Sequence, residues 1–137
     1  MNSKAAQLRE NGTEIVRLFA RFALGVSFLS AVADRLVMSL FPSSSTMLFA
    51  WAATVAETFF GILLIAGLKI RIVSALSGLL LLSFAIGMAT ELGIKTPFDY
   101  SVFSAAAAAF LLAFWEPDRF SLDKLLNRSR TTLTSIA

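Results

Sequence analysis

The sequence predicts an all-α protein: a four-transmembrane-helix bundle with a short C-terminal interfacial helix. Three observations predict it. Hydrophobic residues make up 57% of the 137-residue chain and charged residues only 15%, where a soluble domain carries about a quarter. The apolar residues gather into four long runs, each able to cross hydrocarbon about 30 Å thick. Lysine and arginine fall almost entirely on one side of those runs. A soluble chain this short leaves much of its surface in water and has nowhere to hide so much apolar area, whereas a bilayer accepts it.

The elements follow in order. Residues 1–14 are polar and mixed in charge and read as a cytoplasmic tail, with no cleavable signal peptide expected. Asn11-Gly12 is expected to break the chain, with Thr13 as N-cap of a first span over residues 15–40 that ends before Pro42 and Ser43-Ser44-Ser45. The second span covers 46–68, with Gly67 near its end, and Lys69 and Arg71 bracket a very short turn. The third covers 72–90 without a charge, and Gly93 suits its C-cap. The fourth covers 97–115, opened by Thr96 as N-cap, Pro97 at the first helical position and Asp99 in the capping-box place. Its 19 residues make ~28 Å of helix. The membrane domain thus spans 15–116, and residues 117–137 form a cytoplasmic tail whose Ser121 caps a short interfacial helix. No segment alternates apolar and polar residues as a barrel strand does.

Orientation follows from the cations. Lys4, Arg9, Arg17, Lys69, Arg71, Arg119, Lys124, Arg128 and Arg130 share one side, and only Lys95 lies opposite. The excess of positive charge places both termini in the cytoplasm. These residues flank apolar runs rather than forming a patch with interleaved aromatics, so nucleic acid is not an expected partner. Membrane lipids are, together with other membrane subunits or a second copy of the chain. With no cysteine and no histidine, the chain cannot supply thiol redox chemistry, a Cys/His zinc site, an iron–sulfur cluster or the usual neutral-pH base. No metal site is expected and no cofactor is carried on the chain's own ligands; any redox chemistry would need a bound organic cofactor or a partner protein.

Four ionisable residues lie within the spans: Arg21, Asp34, Arg35 and Glu57. Each costs roughly 2.5–3.5 kcal/mol near a helix centre, so each is expected to face the bundle interior. Glu57 falls near the midplane. Arg35 lies ~7.5 Å from the outer end of its span, and Arg21 and Arg35 lie within ~40° of each other around the helix. Either arginine is therefore placed to approach Glu57, from above or below, while Asp34 points about 100° away from Arg35. Such a set can do one of two things. It can fix helix packing, or it can make Glu57 a proton carrier, since burial and a neighbouring guanidinium pull a carboxylate's proton affinity in opposite directions. Arg17 and Arg21 also read as snorkelling anchors at the cytoplasmic end. Ser104 and the five alanines 105–109 read as a close-packing face. Ser74, Ser77, Ser83 and Thr90 are expected to bond to their own helix backbone.

The first-span stretch Arg21 to Leu36, with Gly25, Asp34 and Arg35, resembles the opening pattern of the DoxX family of small bacterial membrane proteins. Ala56-Glu57 through Gly61 and Gly67 to Arg71 resembles that family's second pattern, and Gly93 to Phe103 and Ser121-Leu122-Asp123 fit its later ones. The resemblance covers roughly residues 15–126. Family members often carry a longer aromatic loop after the first helix, where this chain has only residues 41–45; a pocket beneath such a loop would be open here or covered by a partner. The resemblance implies a four-helix fold, a bacterial inner-membrane location and an association with quinone-linked sulfur oxidation or membrane oxidoreductase complexes. Three functions stand in order: an accessory or structural subunit of a larger membrane complex, not catalytic on its own; a quinone-interacting oxidoreductase subunit using Glu57 with Arg35 or Arg21; and a lipid or small-molecule binding or transport module, which the absence of proline within a span disfavours.

Overall fold

The computed structural model describes residues 2–38, 47–115 and 121–122. The described chain is all-α: α1 (Asn2–Met38), α2 (Met47–Ala66), α3 (Ile70–Glu91), α4 (Thr96–Asp99) and α5 (Val102–Phe114). The expected end of the first span at residues 39–40, the linker 41–46 and the interfacial helix beyond Leu122 lie outside the described residues.

The first helix differs from expectation at its start. It runs unbroken through Asn11-Gly12 for 37 residues, ~55 Å at 1.5 Å per residue. Thr13 is not a cap: its hydroxyl donates to the Arg9 carbonyl one turn back (2.7 Å). Glycine in an exposed helix costs only about 1 kcal/mol, too little to stop a helix with long apolar neighbours on its far side. The fourth expected span also differs, because it is two helices. Ser101 adopts φ 55 between α4 and α5, a left-handed conformation that interrupts the helix. Thr96 is the first helical residue of α4 rather than its cap, and its hydroxyl donates to the Leu92 carbonyl. Pro97 sits in the first turn, as expected.

Two turns match the sequence closely. At the end of α2, Gly67 has φ 72, its N–H donates to the Leu64 carbonyl and the Leu68 N–H to the Leu63 carbonyl (3.2 and 3.1 Å). This Schellman closure satisfies carbonyls the helix leaves open, and a left-handed φ is what selects glycine there. After α3, Leu92 donates back to the Met88 carbonyl and Gly93 takes φ 102.

The helices pack as two antiparallel pairs, α1 with α2 and α3 with α5, joined through α2–α3 and α1–α5. Small residues set both pairs. A Cβ at Gly25 would lie 3.0 Å from the Gly61 carbonyl oxygen, and one at Gly61 would lie 3.1 Å from that of Gly25. In the other pair, Ser74, Ser77 and Gly78 are buried on α3 while Ala106 and Ala109 are buried on α5. Between the pairs lies a core of Leu24, Phe28, Leu64, Val73, Ala109 and Leu112.

The outside is as apolar as the inside. Phe19, Val55, Phe59, Ile62, Ile72, Leu79, Ile86 and Leu111 are all exposed. Two helical stretches are long and apolar enough to cross a membrane, Ala6–Asp34 and Ile70–Glu91; Ala50–Ala66 and Val102–Phe114 are shorter apolar helices. In each long stretch only 28% of the apolar window is buried, whereas the core helix of a water-soluble domain is mostly covered.

Candidate functional site: a cavity beside Glu57

The Gly25–Gly61 crossing fixes where the buried ionisable residues sit. Glu57 is one turn before Gly61 on α2, and Arg21 is one turn before Gly25 on α1. Because the helices are antiparallel, those two turns run in opposite directions from the crossing. Side chains lean toward the N-terminus of their own helix, so Arg21 leans to the end of the bundle that holds Gly67 (the inner end) and Glu57 to the opposite (outer) end. The two therefore diverge, although both are buried at 2% exposure.

Arg21 ends at the turn after α2. A Cβ at Gly67 would meet Arg21 Nη1 at 2.6 Å and the Ser121 Cα at 2.9 Å. Gly67 lies ten residues beyond Glu57, ~15 Å of helix. The guanidinium thus occupies the C-terminal end of α2, where the helix dipole is negative and open carbonyls gather. It is buried at that end of the bundle, at 2% exposure. Ser121 is wholly buried against the same turn, so the chain returns beneath α2 after leaving α5.

Two further cations treat the end of α5 in a similar way. Arg71 Nε donates to the Ala113 carbonyl at 3.4 Å, and the Arg17 guanidinium lies 5.3 Å from the centre of the Trp115 ring, within cation–π range. Sequence reasoning missed these contacts. The helix C-termini at Gly67 and Trp115, each close to basic residues, were the available signal.

Glu57 faces different surroundings. It lines a cavity of about 460 Å³ in the outer half of the bundle. Leu24, Phe28 and Ala31 of α1, Leu81, Phe84 and Met88 of α3, and Val102 and Ala105 of α5 make the apolar walls. Ser27, Ser83 and Gly87 complete the lining and are exposed, so they form its rim. The rim hydroxyls are already engaged: Ser27 donates to the Ala23 carbonyl and Ser83 to the Leu80 carbonyl (2.8 and 2.7 Å). Glu57 is the one ionisable side chain among the described lining residues. An apolar pocket of this size with a single convergent polar group suits a small hydrophobic ligand held by one polar end.

The other predicted residues fall outside this site. Asp34 is exposed, and the side chain of Arg35 lies outside the described residues. Ser83 and Thr90 bond to their own helix, as expected, through the Leu80 and Gly87 carbonyls. Ser74 and Ser77 do not: both are fully buried and their hydroxyls have no partner among the described residues. The core layer of Leu24, Leu64 and Val73 lies between the Arg21 end and the Glu57 cavity, so the polar interior is divided. Searches against protein-family models, curated proteins and solved structures find no match to this chain.

Proposed function

We propose that the chain is a DoxX-like integral protein of the bacterial inner membrane, crossing it four times, which holds a quinone-type molecule with its polar head at Glu57. The cavity beside Glu57 carries this reading: a buried carboxyl group facing an apolar space of about 460 Å³ suits a ring that can accept or donate one hydrogen bond. The chain has no cysteine or histidine with which to hold a metal centre, so electrons for such a molecule come from a partner. The protein then acts as an accessory subunit of a membrane oxidoreductase. The close-packing alanine face packs within the chain through Ala106 and Ala109 and offers no separate argument for a partner.

Four spans rest on pairing the shorter helices with their neighbours. Residues 96–114 give ~28 Å across α4 and α5 together, and α2 adds ~30 Å. The outward faces of both α2 and α5 are apolar, with Val55, Phe59, Ile62 and Leu111 exposed. The natural chain lacks cysteine, so single cysteines report topology without background. In the four-span arrangement Asn11→Cys and Lys69→Cys react from the cytoplasmic side and Lys95→Cys from the outer side. Reaction of Lys69→Cys from outside and Lys95→Cys from inside would indicate two spans and end this part of the proposal.

Ligand identity is tested by extracting the protein purified in mild detergent and analysing the extract for quinones. Retention is expected in the parent chain and reduced severalfold in Glu57→Gln at unchanged thermal stability. A parent protein free of quinone, or a variant that keeps as much of it, would remove the functional reading.

A further inference from the structure

The turn between α2 and α3 stands at the end of a second apolar cavity, which shares no lining residue with the one at Glu57. It has a volume of about 380 Å³ and lies between the two helices, which pack less closely than α1 with α2 or α3 with α5. Val73 is buried at its floor, while Phe59, Ile72 and Leu76 are exposed along its edges. The Phe59 and Phe60 rings, 6.4 Å apart and tilted, make the α2 wall. Lys69 lines the end at the turn. Phe59 lies ten residues before Lys69 and Leu76 seven after it, so the groove runs roughly 10–15 Å along the helices from that end.

The groove is apolar and its end at the turn is positive. None of its described lining residues is acidic. Lys69 immediately precedes α3, whose first turn holds no acid, and a helix N-terminus carries about half a positive charge. Two local preferences oppose a lysine in this place. That end of a helix repels a cation, and Lys69 takes φ 47 and ψ 43, a left-handed conformation that favours glycine. An anion at the turn removes the first objection. Lys69 has a contact within the chain, but an ammonium offers three donors, so that contact does not exclude an anionic ligand. Arg71 is turned to the other flank of α3, toward the Ala113 carbonyl. Size completes the match. An apolar cavity of about 150 Å³ takes a benzene ring, so about 380 Å³ accepts roughly a dozen carbons of one hydrocarbon chain. A helix, about 10 Å across, would lie over such a groove without entering it.

We propose that the α2–α3 groove holds one acyl chain of an anionic phospholipid whose phosphate sits at Lys69 and the N-terminus of α3. In the four-span arrangement this turn faces the cytoplasmic leaflet, the anionic one. The inference rests on the membrane reading of the chain and is independent of the Glu57 cavity. The test titrates the full chain in mild detergent with phosphatidylglycerol and with phosphatidylcholine of the same chains, and counts bound lipids by native mass spectrometry. The parent is expected to hold one phosphatidylglycerol at least about fivefold more tightly than phosphatidylcholine, the worth of one basic residue beside an anionic head. Glycerol phosphate, the head without chains, should not displace it. Lys69→Gly should abolish the preference while unfolding at or above the parent temperature, since glycine relieves the backbone. Leu76→Trp, at an exposed position, should fill the groove and reduce binding of both lipids several-fold. Arg71→Gln should keep the preference. The site is wrong if the parent binds the two lipids equally, if Lys69→Gly keeps the preference, or if Arg71→Gln loses it to the same extent. Displacement by glycerol phosphate would overturn the role of the groove. A dimer that carries no lipid in the same spectra would assign the groove to a second copy instead. Detergent solution has no inner or outer side, and cysteine labelling decides the spans separately, so a failed titration leaves the membrane reading intact.

Discussion

The inner end of the bundle and its outer half each bury an ionisable side chain at 2% exposure, and they use it differently. Arg21 is packed between the turn at Gly67 and the returning chain at Ser121, with too little room for even a methyl group on Gly67. Glu57 borders a cavity large enough for a ring. At the inner end Arg71 meets the Ala113 carbonyl, Arg17 meets the Trp115 ring, and Ser121 is buried beneath α2. In the outer half the walls are apolar, the rim hydroxyls are turned onto their own helices, and α1 and α3 stand apart. Burying a charge is expensive in both places. Where packing is complete, the structural role of the side chain accounts for that expense. Beside Glu57 open space adjoins the buried group, and the proposed ligand is what would fill that space.

The comparison can be broken first at Gly67. Gly67→Ala places a side chain at φ 72 and drives it into Arg21 and Ser121. Left-handed strain and overpacking together should cost about 2–4 kcal/mol, read as a lower unfolding temperature in detergent. An unchanged temperature would mean that the inner end is not close-packed. Next comes Arg21→Met, which keeps an unbranched apolar stem and removes the cation from the α2 terminus. A loss of about 1–2 kcal/mol is expected, with faster proteolysis of the chain beyond Trp115 and no change in quinone retention. Lost retention with stability preserved would move Arg21 into the functional site. The smallest effects come from two glycines with opposite signs. Gly25→Ala meets Ile65 Cγ1 at 2.7 Å and the Gly61 carbonyl at 3.0 Å and should destabilise by about 1–2 kcal/mol. Gly87→Ala meets nothing and should stabilise by up to about 1 kcal/mol. Equal effects at the two sites would show that the α1–α2 crossing is no tighter than the open surroundings of Gly87.

The sequence revealed much of the helical framework because its signals are local. The Gly67 turn, the stop at Gly93 and Pro97 in a first turn each follow from one residue's backbone preference. It misled where a local preference was weak against its surroundings. Gly12 reads as a break and lies within a continuous helix, since its cost is small and the apolar face beyond it continues. Ser101 carries no glycine or proline signal, yet it takes the left-handed conformation that separates α4 from α5. The expected approach of an arginine to Glu57 was drawn from angles around a single helix. The register between helices, set at Gly25 and Gly61, sends Arg21 the other way; the side chain of Arg35, the other arginine expected there, lies outside the described residues.

The sequence by itself determined that the chain is helical, where most of its turns fall, and that Arg21 and Glu57 would both be inside, though the same rule failed for Asp34, which is exposed. These depend on backbone preference and on the cost of moving a charge out of water, which each residue carries wherever it sits. Tertiary structure alone decided that the two residues lie on opposite sides of a core layer, that the alanine face is spent on α3, and that Glu57 adjoins open space. A cavity is the volume that side chains from four helices fail to fill, so it belongs to their register and to no segment of the sequence.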